Sequence, residues 1–379
     1  MKRVDYAHGL VIGKFYPPHR GHEYLIRTAA RHCRSVTVGV LGSSVESISI
    51  ARRVAWLRDI FSTERHVRIV GELDDVPVDY NSPAAWASHV AIMRKAVQAA
   101  DHEYGKAPAV DAVFTSEHYG GELARHFGAA HVCLDNARTL YPVSGTAARA
   151  HPVSQWDLLP PAVRAGLALR VVVLGAESTG TTTLARDLAD ALRRRGGTWA
   201  GTAWVAEYGR EHSLNLLALA RAFKPDATAA DISWQSADFT VIAAEQCRQE
   251  EEAARHGSPV LVCDTDAFAT CIWHERYMGQ PSPQVARLAA AMPPRALYLL
   301  TSDTGVPFED DGLRDGEHLR GWMTERFRAV LREQGVPWLE VEGSPDARCR
   351  SALAAVDALL EKAWQFAAPL EQRQQLAQS

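Results

Sequence analysis

The sequence predicts an α/β protein with two successive domains, each built on a parallel sheet covered by helices. Short apolar runs typical of buried strands alternate with longer helical stretches, at residues 10–15, 35–42, 67–72, 110–115 and 131–134, and again at 170–174, 202–206, 260–263, 296–301 and 338–342. Such alternation is typical of parallel sheets, which bind ligands at the carboxyl ends of their strands. A glycine-containing loop follows the first strand of each series and marks the expected binding edge.

The first of these loops is residues 13–22, Gly-Lys-Phe-Tyr-Pro-Pro-His-Arg-Gly-His. A turn from a strand into a helix aims free N–H groups and the positive end of the helix dipole at one point, which favours phosphate. Glycine allows close approach, and the two histidines can donate hydrogen bonds without carrying a fixed charge. We therefore expect a phosphate site formed by Gly13, Lys14, Phe15, His19 and His22.

A second phosphate signal lies in residues 141–149, Tyr-Pro-Val-Ser-Gly-Thr-Ala-Ala-Arg. Ser144, Gly145 and Thr146 suit the N-terminal cap of a helix, and Arg149 falls one turn into that helix. A hydroxyl cap, exposed N–H groups and a guanidinium fork together suit a polyphosphate. The two motifs are therefore predicted to form one polyphosphate site, to which Ser144, Gly145, Thr146 and Arg149 contribute together with the first loop.

Together these motifs resemble the nucleotidyltransferase superfamily, and in detail the nicotinamide-mononucleotide adenylyltransferase half of the bifunctional NadR-type enzymes. The similarity covers residues 9–165 and includes Arg53-Val-Ala-Trp56, residues 114–120 and Asp135-Asn-Ala-Arg138. It implies a Rossmann-like nucleotidyltransferase fold in which the two motifs hold the triphosphate of ATP. The resemblance further implies that His19, His22, Lys14 and Arg149 act on the departing pyrophosphate. Trp56 and Trp86 fall where those relatives place acceptor-binding residues, although a place in the core is equally open for each.

The second half has its own nucleotide loop, residues 175–183, directly after the strand at 170–174. It has the spacing of a P-loop, G-x-x-x-x-G-K-[ST], in which backbone N–H groups surround the phosphates and a hydroxyl holds Mg²⁺. Thr182 is the expected metal ligand. The predicted ATP-binding residues are Gly175, Glu177, Ser178, Thr179, Gly180, Thr181, Thr182 and Thr183.

Thr181 stands where a P-loop has its lysine, so the usual positive charge at the β- and γ-phosphates is missing. Three interpretations are open. A kinase can recruit its cation from elsewhere, the site can bind nucleotide without much turnover, or the match can be accidental. Arg314 and Arg320, in and after an Asp-rich segment at 310–315, are the best substitutes, because guanidinium is always charged and binds phosphate bidentately.

The neighbouring motifs argue against an accidental match. Residues 260–266 form an apolar strand that ends in Asp264 and Asp266, which suits a Mg²⁺ site and a catalytic base. With Glu207 and Asp238, which we expect to bind the acceptor, the pattern over residues 168–363 resembles the ribosylnicotinamide kinase half of the same family. The resemblance implies a P-loop kinase-like α/β domain with Mg²⁺ and ATP.

Composition limits the alternatives. The chain has 379 residues, a net charge of −4 and a pI near 6.4, so it lacks the basic footprint of a nucleic-acid-binding protein. No apolar stretch reaches membrane-spanning length, and the six cysteines show no C-x-x-C pairing, which favours a cytoplasmic protein. The first strand begins too early for the DNA-binding domain that some relatives carry. We expect domains at 1–166 and 167–366, and a disordered tail at 367–379.

The combined expectation is an enzyme of NAD biosynthesis. The first domain would transfer AMP from ATP to nicotinamide mononucleotide, and the second would phosphorylate nicotinamide riboside. Small-molecule substrates are then the expected partners, without nucleic acid or membrane, and a homo-oligomer is left open. Two alternatives remain: an adenylyltransferase whose P-loop domain only senses nucleotide, and a kinase and adenylyltransferase pair that acts on another acceptor.

Overall fold

The computed structural model describes residues 5–79, 81–370 and 372–373, which form two units. One unit contains the chain up to Val163 together with a returning segment that begins at Trp364, and the other is Arg164–Ala363. The division falls three residues before the predicted boundary, inside a helix at Pro161–Leu167. Each unit is described by itself below.

The first unit is a five-stranded parallel sheet with helices on both faces. Its strands are β1 (Tyr6–Gly13), β2 (Cys33–Gly42), β3 (Val67–Leu73), β4 (Ala112–Thr115) and β5 (Ala130–Cys133). Its helices are α1 (Arg20–His32), α2 (Ile50–Ile60), α3 (Pro83–Tyr104), α4 (Gly120–Phe127) and α5 (Gly145–Ala150), followed by α6 (Pro161–Leu167) at the junction.

Alternating side chains of β1 explain why helices cover both faces of this sheet. Val11 packs with Leu25 and Ile26 of α1 in one core cluster, whereas Leu10 and Ile12 pack with side chains of α3 and α4 in another. A strand buried on both faces favours apolar residues at successive positions, which is why the apolar run Leu10-Val11-Ile12 is continuous.

The second unit repeats this plan with a different strand order. Its strands are β6 (Leu169–Gly175), β7 (Trp204–Val205), β8 (Val260–Asp264), β9 (Leu297–Thr301) and β10 (Trp338–Val341). Its helices are α7 (Thr181–Arg193), α8 (Tyr208–Phe223), α9 (Ser236–His256), α10 (Ala267–Met278), α11 (Pro283–Ala291), α12 (Arg320–Glu333) and α13 (Pro345–Leu360).

The strand orders are β3-β2-β1-β4-β5 in the first sheet and β10-β9-β6-β8-β7 in the second. In each sheet the order reverses around the strand that precedes a phosphate loop, β1 or β6. A crevice opens at the carboxyl edge at such a point, and ligands of open α/β sheets bind there. The predicted α/β fold is confirmed, and all ten predicted strands are present.

The first strand differs most from its prediction, since β1 is Tyr6–Gly13 rather than residues 10–15. It ends early because Phe15 has φ 48°, a backbone conformation that does not continue a strand. It begins early because the His8 side chain is fully buried yet hydrogen-bonded, with Nε2 2.8 Å from Thr37 Oγ1 and Nδ1 2.7 Å from the Pro108 carbonyl oxygen.

The predicted disordered tail from 367 is contradicted where the structure describes it. Ala367 bonds to the first unit through both its N–H and its carbonyl, and Pro369 is buried. Residues 371 and 374–379 lie outside the described residues. Across the described part of the chain, no helix combines the length and apolar character needed to cross a membrane.

Candidate functional site

The first phosphate loop ends in a pair of stacked histidines at the start of α1. The rings of His19 and His22 lie 3.6 Å apart between centroids, with 20° between their planes. Each Nδ1 accepts a hydrogen bond from the other residue's backbone N–H, at 3.3 and 3.4 Å, which caps the helix. Since Nδ1 is an acceptor in both rings, a neutral imidazole carries its proton on Nε2. The local cap therefore leaves two parallel N–H donors for a ligand.

Burial keeps these rings neutral. Loss of solvent and, secondarily, the charge of Arg138 lower the pKa of His19 to about 3. Burial, the neighbouring His19 ring and Arg138 likewise hold the pKa of His22 well below its ordinary value. Phe15 does not face the site. Its buried ring lies edge-on to His22, 4.8 Å between centroids, so it supports the histidine.

The second motif lies beside the first. Ser144 Oγ accepts from the Ala147 N–H at 3.1 Å and caps α5. Arg149 Nη1 donates to the carbonyl oxygen of Tyr16 at 2.6 Å, and Nη2 lies 3.4 Å from Thr146 Oγ1. Gly145 is close to the same carbonyl, because a β-carbon there would stand 3.0 Å from the oxygen.

One cavity joins the two motifs. Its lining includes both histidines, Ser144 and Gly145, together with Glu117 and Arg138, which form an ion pair of 2.8 Å. Gly13 precedes this cavity at the end of β1. Lys14 does not line it: its Nζ lies 3.3 Å from Glu46 Oε1, so the structure places this predicted catalytic cation in an ion pair.

The two predicted acceptor tryptophans have different environments. Trp86 lines a second cavity with His118, Tyr119 and Glu117, and its ring stacks on His126 at 5.6 Å. Glu117 lines both cavities, so they adjoin. Trp56 is buried in α2 and does not line either of these cavities. The structure therefore places Trp86 at a cavity and Trp56 in the core.

In the second unit, the loop between β6 and α7 has the form expected of a P-loop. Gly180 takes φ 85°, which favours glycine, and Thr181 begins α7. Thr182 Oγ1 donates to Asp264 Oδ2 at 2.6 Å, which brings the two predicted Mg²⁺ ligands together. Thr183 is exposed on the first turn of α7.

This pair fits a magnesium ion that arrives with a nucleotide. Mg²⁺ in phosphate-transfer sites is held by one or two protein oxygens, with phosphate and water completing the shell. A hydroxyl and a carboxylate oxygen at the end of β8 match that donor set. Among the residues that the structure describes, no group of three or more His, Cys, Asp or Glu side chains is placed to hold a metal by itself.

Three arginines contact the P-loop at Ser178 and Thr179. Arg314 Nη1 lies 3.4 Å from Ser178 Oγ, and Arg320 Nη2 donates to the Ser178 carbonyl oxygen at 3.2 Å. Arg348 Nη1 donates to the carbonyl oxygen of Thr179 at 2.6 Å. Sequence reasoning identified the first two and missed Arg348, which lies in α13 without any motif around it. These bonds bring positive charge to the loop that lacks the P-loop lysine.

Other loop side chains connect it to the segment between β9 and α12, residues 303–316, which we call the lid. Ser178 Oγ accepts from the Glu309 N–H at 2.8 Å. Glu177 accepts from Arg276 Nη1 at 2.9 Å and from the Gly316 N–H at 2.7 Å. Thr179 is buried and bonds to Thr301 Oγ1 at 2.7 Å. These predicted ATP contacts thus shape the loop through their side chains.

Glu207 and Asp264 form a pair of interacting carboxyls. Burial, followed by the charge of Asp264, raises the pKa of Glu207. Burial also raises the pKa of Asp264, although hydrogen bonds from Thr182 and Thr181 limit that rise. Asp264 is therefore the more acidic member of the pair. Asp238, the other predicted acceptor residue, accepts from His212 Nε2 at 3.0 Å and caps the start of α9.

The prediction that Asp266 is catalytic is contradicted by its position. Thr265 has φ 69°, which turns the chain so that Asp266 points into the protein. Its carboxylate is fully buried, accepts from Arg295 Nε at 2.8 Å and from Tyr298 OH at 3.1 Å, and caps α10. This aspartate stabilises the fold and is not available to a substrate.

Comparison with known proteins supports the assignment of both halves. The chain is 26% identical over 354 residues to the trifunctional NAD biosynthesis/regulator protein NadR of Escherichia coli (strain K12), covering 88% of this chain and 78% of that protein. It is 27% identical over 353 residues to the protein of the same name from Salmonella typhimurium, with the same coverage. A family model described as an AAA domain matches residues 170–348.

Solved structures agree on the fold. A crystal structure of NadR protein in complex with NAD and AMP-PNP superposes with a TM-score of 0.66 at 19% identity, covering 95% of this chain and 98% of the other. A crystal structure of NadR protein in complex with NR gives the same TM-score at 18% identity, covering 96% and 98%. The resemblance to the NadR-type proteins is confirmed along most of the chain.

The neutral histidines predict a specific pH dependence of stability. The pKa of His19 is about 3 in the folded chain and near 6.5 in the unfolded chain, so the unfolded chain binds a proton more readily. The neutral, buried form therefore contributes stability above pH 6.5, and this contribution is lost as the pH falls below 6.5. His19→Asn keeps a capping side chain without this titration. The wild type should lose about 2 kcal/mol more than the variant between pH 7 and pH 5, in urea unfolding measured at each pH. An equal loss in both proteins would contradict the buried, neutral histidine, and exposed His102→Ala serves as the control.

Substitution of Asp264, which ends β8, and of Asp266 should change the stability of the second unit to different extents. Asp266→Asn removes one of the two carboxylates that pair with the buried Arg295 guanidinium, the other being Glu250, so the free energy of unfolding of the second unit should fall by a few kcal/mol. Asp264→Asn replaces a buried carboxyl whose pKa is raised, and it should cost little. Denaturant unfolding of both variants tests this order. A larger loss for Asp264→Asn would mean that the two roles have been exchanged.

Proposed function

We propose that this chain makes NAD in two ATP-dependent steps. The first unit transfers AMP from ATP to nicotinamide mononucleotide, and the second phosphorylates nicotinamide riboside to supply that mononucleotide. The observation that carries the proposal is the shared cavity of the first unit, where the histidine pair and the Ser144–Gly145 cap meet beside a cavity lined by Trp86. The similarity to NadR of Escherichia coli supports it independently.

In the first reaction, a phosphate oxygen of the mononucleotide attacks the α-phosphorus of ATP. The new P–O bond forms as the bond to the β-phosphate oxygen breaks, which gives NAD and pyrophosphate. A phosphate monoester is already a nucleophile, so the enzyme needs no base. Alignment of two bound substrates supplies on the order of 7–11 kcal/mol of the barrier reduction.

The protein's second contribution is to stabilise charge on the leaving pyrophosphate. His19 and His22 offer two parallel Nε2–H donors, fixed by the helix cap and unaffected by pH near neutrality. Arg149, oriented by the Tyr16 carbonyl, supplies a permanent positive charge on the other side. Such preorganised donors add a few kcal/mol each where charge develops.

The Trp86 cavity suits the acceptor. Its lining combines aromatic rings, among them Trp86, Tyr119 and His126, with the carboxylates of Glu117 and Glu122. A flat pyridinium ring carries positive charge, so it is attracted both to an aromatic face and to nearby carboxylates. Since Glu117 also lines the phosphate cavity, an acceptor there can extend its phosphate toward the histidines.

In the second reaction, the 5′-hydroxyl of the riboside attacks the γ-phosphorus of ATP, and its proton passes to a carboxylate. Thr182 and Asp264 would hold the Mg²⁺, which neutralises phosphate charge when bound. Glu207 is the candidate proton acceptor, because its carboxyl lies near Asp264, whose own carboxylate bonds to Thr182 and would be held by the Mg²⁺. The aromatic side chains of Trp234 and Tyr277, 5.0 Å apart, offer the riboside ring a surface near Asp238.

Thr181 favours a second candidate function for this unit, a P-loop that senses nucleotide without turnover. A pair of activities on another acceptor is the remaining alternative. Product analysis separates them: with ATP and Mg²⁺, the proposed enzyme makes pyrophosphate from the mononucleotide and ADP from the riboside. A sensing P-loop yields pyrophosphate alone. If neither pyrophosphate nor ADP formed with either nicotinamide acceptor, the proposal would be contradicted.

His22 should be essential for adenylyl transfer. We expect His22→Ala to lower kcat for NAD formation by about a hundredfold or more, the scale of one lost transition-state donor. His22→Asn keeps a cap acceptor but removes the Nε2 donor, so it should be equally impaired. Exposed His102→Ala, from the same unit, is the matched control. Turnover near that of the wild type in His22→Asn would remove His22 from the catalytic set.

The missing P-loop lysine gives a second test. If Arg314 and Arg320 carry its charge, Thr181→Lys should not greatly accelerate phosphorylation of the riboside, whereas Arg314→Ala, which removes a charge beside Ser178, should nearly abolish it. Exposed Arg287→Ala in α11 is the control. ADP formation by each variant is the measurement. A strong gain from Thr181→Lys, together with an indifferent Arg314→Ala, would show that the charge is simply absent.

A further inference from the structure

The chain returns to the first unit after Ala363, and the returning residues contact the phosphate loop. Tyr16 OH donates to the Ala367 carbonyl oxygen at 3.0 Å, and the Ala367 N–H donates to Ser47 Oγ at 3.1 Å. Ser47 Oγ in turn lies 2.7 Å from the same tyrosine hydroxyl, which closes a small ring of hydrogen bonds. The Phe366 ring lies edge-on to Tyr16, 6.2 Å between centroids.

Further contacts extend along this segment, residues 364–370 and 372–373, which we call the strap. Trp364 packs on Trp156 at 6.0 Å, so the strap is anchored where it begins. Near its other end, Gln372 Nε2 lies 3.5 Å from Thr146 Oγ1, and Arg373 Nη2 lies 3.4 Å from the Val45 carbonyl oxygen. The strap thus contacts both phosphate motifs of the first unit.

Tyr16 connects the strap to the charged groups of the site. Its buried ring lies under two guanidinium groups, with Arg53 Cζ at 4.9 Å and Arg149 Cζ at 4.7 Å from the ring centroid. Its carbonyl oxygen accepts the 2.6 Å bond that orients Arg149. Arg53 is itself fixed by the Lys14 carbonyl oxygen at 2.9 Å and by Glu46. A shift of this ring would therefore move Arg149 directly.

We propose that the strap is a positioning element for ATP in the first unit, acting through Tyr16 on Arg149 and through Gln372 on Thr146. The inference rests on the proposed adenylyl transfer. It assigns a role in that reaction to residues more than 200 positions beyond the last catalytic motif of the first unit. Guanidinium geometry matters here, because a bidentate phosphate contact tolerates little displacement.

Two pairs of proteins test the strap. The first pair is a chain ended after Ala363 and a control ended after Arg373, which retains the strap. The second pair is Phe366→Ala and its neighbour Gln365→Ala, an exposed side chain. Loss of the strap or of the Phe366 ring should raise KM for ATP in NAD formation by about tenfold, the scale of one lost hydrogen bond. KM for nicotinamide mononucleotide should change little, and Phe366→Tyr should restore KM for ATP.

The proposal would be overturned if KM rose equally for ATP and for nicotinamide mononucleotide. It would also be overturned if KM for ATP were unchanged both in the chain ended after Ala363 and in Phe366→Ala. Hydrogen exchange gives a second measurement that does not need turnover. In the control chain, ATP should slow amide exchange in residues 13–22 and 144–150, and that protection should weaken in the chain ended after Ala363. Equal protection in both chains would also overturn it. If the full chain made no NAD, the proposed adenylyl transfer would be wrong. The hydrogen-exchange comparison would still decide whether the strap positions ATP.

Discussion

The functional features of both units depend on one constraint, which is how a central parallel strand passes into the N-terminus of a helix. The helix start has N–H groups without intrahelical partners, and these must be satisfied by side chains or by a ligand. In the first unit the histidine pair satisfies them through Nδ1, and the same bonds fix the outward Nε2 donors. Folding and chemistry therefore use opposite atoms of the same rings, so the helix cap also sets the catalytic geometry.

The second unit meets the constraint differently. In its loop, the carbonyl oxygens of Ser178 and Thr179 accept hydrogen bonds from Arg320 and Arg348. A loop that had lost its function would have little reason to retain such contacts, because each orders a long side chain at an entropic cost. The structure thus keeps guanidinium groups on the loop even though the helix begins with Thr181. This arrangement favours relocation of charge over decay of the site.

The strands and the phosphate loops could be predicted from local sequence, whereas the positions of several site residues could not. Continuous apolar runs specify buried parallel strands, so all ten were predictable. Asp264 and Asp266 follow the same strand, and only the turn at Thr265 decides that one faces Thr182 and the other faces Arg295. Trp86 and Trp56 likewise differ only in tertiary surroundings. Arg348 and the strap act across more than a hundred residues of sequence, where no spacing rule applies.

Burial favours the neutral form of ionisable side chains in both units. In the first it lowers the pKa of His19 and His22, and in the second it raises the pKa of Glu207. Neutral donors have a further advantage in the proposed adenylyl transfer. They would stabilise the leaving pyrophosphate through directed hydrogen bonds but attract the free product less strongly than cations would. With Arg149 as the proposed charged donor and the histidines as the proposed neutral ones, the site would stabilise the transition state and still release its product.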